Sequence, residues 1–319
     1  MSARVSTALV LGAGGLVGQA FHLGVLSALH EAAGFDARSV DVLVGTSAGS
    51  LVAAALAGGL SAPDLAAELI GAPLSAEGRR TRAAAGRSVL HLPEQPAPAP
   101  GRGPLAPGAL LAAARHPLAT RPGAVAAALL PAGRQSTAPI AQGVRRLHPT
   151  GWPERDLRIC AVRARDARRV VFDSRPGNGE RADVGQAVAA SCAIPGWFAP
   201  VRIDGETYVD GGAHSPSNAD VVLPDRPGLV VVISPMSAGR AGLRADLGLR
   251  LAVRGYLAAE VRRLRRAGSR VVVVQPGPGD LQVMGSNPMR GEGLGEVLQR
   301  AAQSTRKRLE RTPDLLAPA

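Results

Sequence analysis

Four stretches of this chain are apolar with little or no interruption: TALVL at Thr7–Leu11, VLV at residues 42–44, LVVVIS at residues 229–234 and RVVVVQ at residues 270–275. Such runs lack the period-two alternation of a half-exposed sheet, so both faces of each strand must be covered, as in a parallel sheet. Aromatic residues make up 3% of the chain against 46% apolar residues in all, which leaves Ala, Val and Leu to build the core. Small side chains let helices approach closely, favouring an α/β architecture with a buried parallel sheet over an aromatic-rich β-sandwich. At 319 residues the chain is long for one domain, yet residues 1–319 are read as a single α/β domain, with residues 220–319 supplying further strands and helices to it.

The strand that begins at Asp41 runs straight into Gly45-Thr46-Ser47-Ala48-Gly49, and a helix-forming run follows at residues 51–57. A serine on so sharp a strand-to-helix turn has its hydroxyl lifted above the sheet edge, and Gly45 and Gly49 permit the close backbone contacts the turn demands. Ser47 is the candidate nucleophile. A helix N-cap serine fits the same five residues, so the strand before and the helix after carry the reading. Upstream, Thr7–Leu11 meets the loop Gly12-Ala13-Gly14-Gly15-Leu16-Val17-Gly18, and the spacing of Phe21, Val25, Leu26 and Leu29 predicts a helix over residues 19–33. Backbone N–H groups converging on such a loop bind an anion, either a dinucleotide phosphate or the oxyanion of a reaction intermediate. The dinucleotide fingerprint requires Gly-x-Gly-x-x-Gly; here Gly18 comes one place late, and no acid ends a second strand to take a ribose.

The charge is unevenly spread. Residues 72–150 hold ten arginines against Glu77 and Glu94, +8 of the total +12. A polycation in one segment either attracts an anionic phospholipid surface or stands as a solvated face. Neither zinc-finger spacing nor an aromatic RNA-binding signature accompanies it, so no nucleic-acid partner is expected. Lys307 is the only lysine, which marks part of the basic excess as compositional bias. Because Pro93, Pro96, Pro98 and Pro100 fall in the same segment, residues 72–150 are read as an insertion of short helices, at 110–115 and 123–130, joined by loop. Beyond it come strands at 157–163 and 169–173, a helix at 184–193, and a hairpin of 201–203 with 207–209 around Asp204-Gly205. A long helix at 243–267 ends in Arg262-Arg263-Leu264-Arg265-Arg266, and a final helix is expected at 293–311. Cys160 and Cys192 fit reduced, buried thiols. No run approaches the roughly 18 apolar residues that span a bilayer, and the first residues lack the long apolar stretch of a secretory signal. A cytoplasmic protein with peripheral membrane contact is the expectation.

A serine nucleophile needs a base, since its free hydroxyl is protonated at neutral pH. Of the six histidines, only His214 falls in a turn beyond a strand; the other candidate is Asp210, which closes the strand 207–209 and precedes Gly211 and Gly212. A carboxylate can act directly when burial brings its pKa towards the task. Asp-Gly-Gly by itself is an ordinary turn. Its company changes the reading: the glycine loop with its helix, Gly-Thr-Ser-Ala-Gly, Ala190-Ser191-Cys192-Ala193-Ile194-Pro195-Gly196 and Tyr208-Val209-Asp210-Gly211-Gly212 follow one another in that order. Over roughly residues 6–219 this succession resembles the patatin-like phospholipase family. The resemblance implies a three-layer α/β/α fold with a mainly parallel central sheet, and a Ser–Asp dyad that hydrolyses carboxylic esters of lipids without metal or cofactor. In those terms Ser47 attacks the ester and Asp210 serves as general base and acid. The N–H groups of Gly14, Gly15 and Leu16 hold the oxyanion, while Gly12, Gly45, Gly49, Gly211 and Gly212 support the turns. One departure stands out: the family usually carries Arg or Lys in the glycine loop, where this chain has Leu16-Val17-Gly18. The backbone donors survive that change, and the side-chain cation does not. Two further readings are a non-catalytic peripheral lipid-binding protein with a vestigial dyad, and a nucleotide-binding protein.

Overall fold

The structure, a computed structural model, describes residues 6–85, 121–175, 181–237 and 247–317. Its strands are β1 (Thr7–Leu11), β2 (Val42–Thr46), β3 (Asp156–Arg163), β4 (Arg168–Phe172), β5 (Val201–Ile203), β6 (Glu206–Asp210), β7 (Leu229–Ile233) and β8 (Arg270–Val274). Its helices are α1 (Gly15–Ala33), α2 (Ala48–Ala57), α3 (Ala62–Leu69), α4 (Ala76–Ala85), α5 (Pro122–Leu129), α6 (Ala138–Leu147), α7 (Val184–Ser191), α8 (Leu247–Arg266), α9 (Pro278–Met284) and α10 (Leu294–Arg311). The strands form one sheet in the order β5-β6-β3-β2-β1-β7-β8, with β4 also paired to β3. The pairs β3–β2, β2–β1, β1–β7 and β7–β8 are parallel, whereas β4 and β6 lie antiparallel to β3 and β5 antiparallel to β6.

The unbroken apolar runs become β1, β2, β7 and β8, and the reason is visible in their two faces. Leu9, Leu11, Leu43, Val231 and Ile233 point into one core, where Phe21 and Leu26 of α1, Leu51 of α2, Val188 of α7 and Val297 of α10 meet them. The alternate residues Ala8, Val10, Val42, Val44, Val230 and Val232 point into a second core with Val222, Leu257, Val261 and Leu264 from the 3-10 turn Ala219–Asp225 and α8. Successive side chains of a strand leave on opposite faces, so a strand shared by two cores has no polar position to spare. Each buried Val or Leu contributes about 1.5–3 kcal/mol. The result is three layers, helices on either side of the sheet.

Several boundaries differ from the expectation. Helix α1 begins at Gly15 rather than at residue 19, and α2 at Ala48 rather than 51. Glycines are poor helix formers, but residues Gly15 to Leu29 are all buried, and packing overrides propensity. In the insertion, α5 matches the predicted 123–130, while α4 and α6 replace expected loop. Helix α6 docks through Ile140, Val144 and Leu147, a helical spacing that could have been read. Helix α4 starts from a tertiary contact: Ser75 N–H donates to Asp64 Oδ1 at 2.7 Å, and Gly78 N–H donates to Ser75 Oγ at 2.9 Å. Helix α9 was also unforeseen, since Pro278-Gly279-Asp280 resembles a turn as strongly as a helix start. The predicted helix at 110–115, the prolines at 93–100 and the start of the long helix at 243–246 lie outside the described residues.

Candidate active site

One edge of β3 is shared by two strands. Asp156–Cys160 pair with β2 and Ala161–Arg163 with β6, while β4 occupies the opposite edge. Thr46 lies opposite Cys160 and Asp210 opposite Ala161. Running in opposite directions, β2 and β6 therefore end against consecutive residues of β3. The residue after β2 is Ser47 and the last residue of β6 is Asp210; both line one cavity, with the Ser47 side chain near enough to favour the ionised Asp210 carboxyl.

Ser47 adopts φ 53 and ψ −122, a sparsely populated conformation for a residue with a side chain. The surroundings hold it there. Its N–H donates to Ser191 Oγ at 2.8 Å, and the Ser191 hydroxyl donates onward to the Cys160 carbonyl at 2.7 Å. Its carbonyl accepts from Ser50 N–H at 2.8 Å, from Ser50 Oγ at 2.6 Å and from Cys192 Sγ at 3.4 Å. A side chain at Gly49 would collide with the Leu11 carbonyl, so this glycine is what lets α2 start tight against β1. Gly45 lies inside β2, between Leu11 and Ile159. Ser191 and Cys192 come from the Ala190–Gly196 block, whose sequence marked it without revealing this duty.

Asp210 is buried beside Ser47. Gly212 N–H donates to its Oδ1 at 2.7 Å, and its own N–H donates to the Ala193 carbonyl at 3.0 Å. Gly211 begins the short 3-10 turn between them. Burial pushes the Asp210 carboxyl up to about 6, outweighing the nearby Ser47 hydroxyl and the Gly212 N–H, which favour its ionised form. Such a group is mostly ionised at pH 7 and basic enough to take a proton in a transition state.

The glycine loop faces the same point. Gly12 N–H donates to Ile233 O at 3.0 Å, Ala13 N–H to Pro216 O at 2.7 Å and Val17 N–H to Pro288 O at 3.0 Å. His22, not singled out from the sequence, meets the Gly12 carbonyl through Nε2 at 2.7 Å. Burial drives its pKa down to about 4, so the neutral ring presents Nε2–H to that carbonyl. Among the described residues, the N–H groups of Gly14, Gly15 and Leu16 meet no protein acceptor. Gly15 has φ 61, and a Cβ there would stand 2.5 Å from the Pro288 carbonyl, so only glycine fits. Gly14 and Gly15 join Ser47 and Asp210 in lining a cavity of about 340 Å³; Leu16 does not line it. Its other walls are apolar: Ala126, Ala127 and Leu130 from α5 and its end, Ile194 and Pro195, and Met236, Pro288 and Met289.

His214 is placed differently from Asp210. Among the described residues it makes no hydrogen bond to Ser47 or Asp210, and its Nδ1 is buried without a partner. Burial and the nearby Arg169 and Arg121 lower its pKa to about 3, which makes it a poor base. The arginines closing α8 are also remote from the site. Helix α8 leads into the start of β8, so Arg262, Arg263, Arg265 and Arg266 sit by the N-terminal ends of the parallel strands, whereas Ser47 follows a C-terminal end. Among the described residues no three His, Cys, Asp or Glu side chains gather as metal ligands would.

Fold and site together define a class: a three-layer α/β/α protein with a serine on a strand-to-helix turn beside a glycine loop. Residues 9–223 match the patatin-like phospholipase family, and the chain belongs to that family. Membership supports lipid hydrolysis. No curated protein matches the chain in sequence. Among solved structures, VipD from Legionella pneumophila is similar at 15% identity and TM-score 0.46, over 97% of this chain and 67% of VipD. The type III effector protein ExoU is similar at 17% identity and TM-score 0.40, over 96% of this chain and 53% of ExoU, so this chain spans about half of ExoU's length. At these scores the likenesses carry no argument about chemistry.

Proposed function

We propose that this protein is a lipid acyl hydrolase that cleaves carboxylic esters with Ser47 as nucleophile and Asp210 as general base and acid. The observation that carries the reading is the convergence of Ser47 and Asp210 at the wall of one apolar cavity, beside backbone N–H groups of Gly14 and Gly15 that meet no protein acceptor among the described residues. Asp210 takes the hydroxyl proton as Ser47 Oγ attacks the ester carbonyl carbon. The carbonyl oxygen becomes an oxyanion held by the N–H groups of Gly14 and Gly15, with Leu16 behind them; each such donor contributes on the order of 3 kcal/mol to the transition state. Asp210 then returns the proton to the departing alcohol. Water, activated by the same carboxylate, releases the fatty acid and restores Ser47.

The acyl chain lies in the cavity against Ala126, Ala127, Leu130, Met236 and Met289. Leu130 is 48% exposed, one of two large apolar side chains exposed to that degree among the described residues. A rim of this kind, on the arginine-rich insertion, suits peripheral contact with an anionic lipid surface. No helix of the described residues is long and apolar enough to cross a membrane.

Labelling with a fluorophosphonate probe tests the chemistry. Wild type is expected to label and Ser47→Ala to remain unlabelled, with turnover of p-nitrophenyl esters and phospholipids lost in parallel. Binding to lipid vesicles without Ser47-dependent labelling would favour the vestigial-dyad reading instead.

A further inference from the structure

The ends of β2 and β6 meet without a peptide link between them, and a single side chain grips both. Asn218 is fully buried. Its Nδ2 donates to Thr46 Oγ1 at 3.1 Å, to the Gly211 carbonyl at 3.3 Å and to the Ser215 carbonyl. Thr46 immediately precedes Ser47, and Gly211 immediately follows Asp210. We propose that Asn218 is a positioning residue, whose carboxamide fixes the separation of Ser47 and Asp210 by holding the residues next to each. The inference rests on the hydrolase reading for its kinetic part.

Three features make an asparagine the residue for this place. Its backbone is left-handed, φ 49 and ψ 32, a conformation that asparagine tolerates better than most residues with a Cβ. The orientation of the amide is set, because Oδ1 accepts from Arg169 Nη1 at 3.2 Å, and Arg169 is in turn ion-paired with Asp220. Nδ2 must therefore face the Thr46 hydroxyl and the two carbonyls, and the carbonyls can be satisfied only by a donor. The mount is rigid as well. Glu260 of α8, itself fully buried, accepts from Ser215 Oγ at 2.7 Å, Ser217 Oγ at 2.6 Å and Ala219 N–H at 3.0 Å, pinning the segment on either side of Asn218. Aspartate would keep the size and tolerate the backbone, but would turn oxygen lone pairs towards two carbonyl oxygens. Glycine would keep the backbone and remove the grip.

The test compares wild type, Asn218→Gly and Thr46→Val, the last removing one contact and leaving the left-handed residue in place. With p-nitrophenyl butanoate, Asn218→Gly is expected to lose on the order of 10–100-fold in kcat per active site with KM nearly unchanged, as sub-ångström misplacement of reacting groups does. Active sites are counted by fluorophosphonate titration, so partial unfolding is separated from slow chemistry. Carbon NMR titration of the Asp210 carboxyl is expected to give a higher pKa in Asn218→Gly, and a smaller rise in Thr46→Val, because the Ser47 hydroxyl, which favours the carboxylate, moves away from it. Should Asn218→Gly fail to fold, Thr46→Val carries the titration alone. A wild-type pKa and wild-type kcat per site in whichever variant folds would overturn the positioning role, even if melting temperature falls. An inactive wild type would count against the hydrolase reading only; the carboxyl titration needs no turnover and still decides about Asn218.

Discussion

Val17 donates its backbone N–H to the carbonyl of Pro288 at 3.0 Å, tying the glycine loop near the start of the chain to a segment well beyond the family-matched residues 9–223. The same carbonyl lies where a Cβ on Gly15 would go. The loop that offers free N–H groups to the cavity is thus held in shape by Pro288 on one side and by His22 on Gly12 on the other.

Gly15→Ala should move that loop. The added methyl meets both a positive φ and the Pro288 carbonyl, a combination that costs on the order of 1 kcal/mol or more. The expected outcome is a kcat at least tenfold lower on a p-nitrophenyl ester with melting temperature down by a few degrees. Unchanged kcat would separate Gly15 from the oxyanion.

Asp210 should set the acid limb of activity. With its carboxyl near 6, it is protonated below that pH and unable to accept the Ser47 proton, so kcat/KM should fall about tenfold per unit below 6 and level off above it. Asp210→Asn should lose on the order of 10²–10⁴-fold, and His214→Ala should keep the wild-type acid limb. A pH–rate profile on the three proteins checks both statements.

Cavity volume should set chain-length preference. Ala127→Leu adds three carbons to a wall of the 340 Å³ cavity, displacing roughly three methylenes of substrate. Turnover of a p-nitrophenyl octanoate is expected to fall several-fold relative to the acetate, and an unchanged ratio would place the chain elsewhere.

Glu260 should be a stability residue. Fully buried and accepting from Ser215, Ser217, Ala219 and Arg121, it takes a carboxylate away from one cation and an acceptor away from three donors when removed. Breaking a buried pair of this kind costs about 3–5 kcal/mol, which a urea unfolding curve of Glu260→Ala would register as a lower midpoint. Glu260→Gln retains the side-chain volume and should lose less.

Acid should weaken the fold before it protonates the surface carboxylates. His22 and His214 have folded pKa values of about 4 and about 3, so as pH falls from about 6.5 the unfolded chain takes up protons that the folded one refuses, and stability drops. Burial lowers His148 as well. Asp210 works the other way between about 6 and its ordinary value, since its folded form binds the proton first. Three histidines against one carboxyl give a net loss, seen as a lower urea midpoint at pH 5 than at pH 7.5.

Much of the sheet was legible because its strands answer to a local rule. Thr7–Leu11 and the other apolar runs carry no polar position, and burial on both faces is the consequence. Helix starts were less legible. Gly15 and Ala48 begin helices because neighbouring layers bury them, and α4 begins because Asp64 reaches Ser75, neither of which is written in the local sequence. Helix α6 was legible in principle through Ile140, Val144 and Leu147. Ser191, Asn218 and His22 gave no local signal of their place at the site.

By itself the sequence determined that strands must lie between two apolar layers, that Ser47 must occupy a tight strand-to-helix turn, and that Asp210 must end a strand before two glycines. These follow from side-chain period and backbone permission, which act over a few residues. Tertiary structure alone decided that Asp210 and not His214 faces Ser47, that residues 126–130, 236, 288 and 289 wall one cavity, and that the carboxyl rises towards neutrality. The first depends on β2 and β6 sharing an edge of β3 in one register, and the others on which distant segments pack over the ends of those strands. Pairing between strands so far apart in the chain is chosen by the free energy of the whole fold, not by any stretch of it.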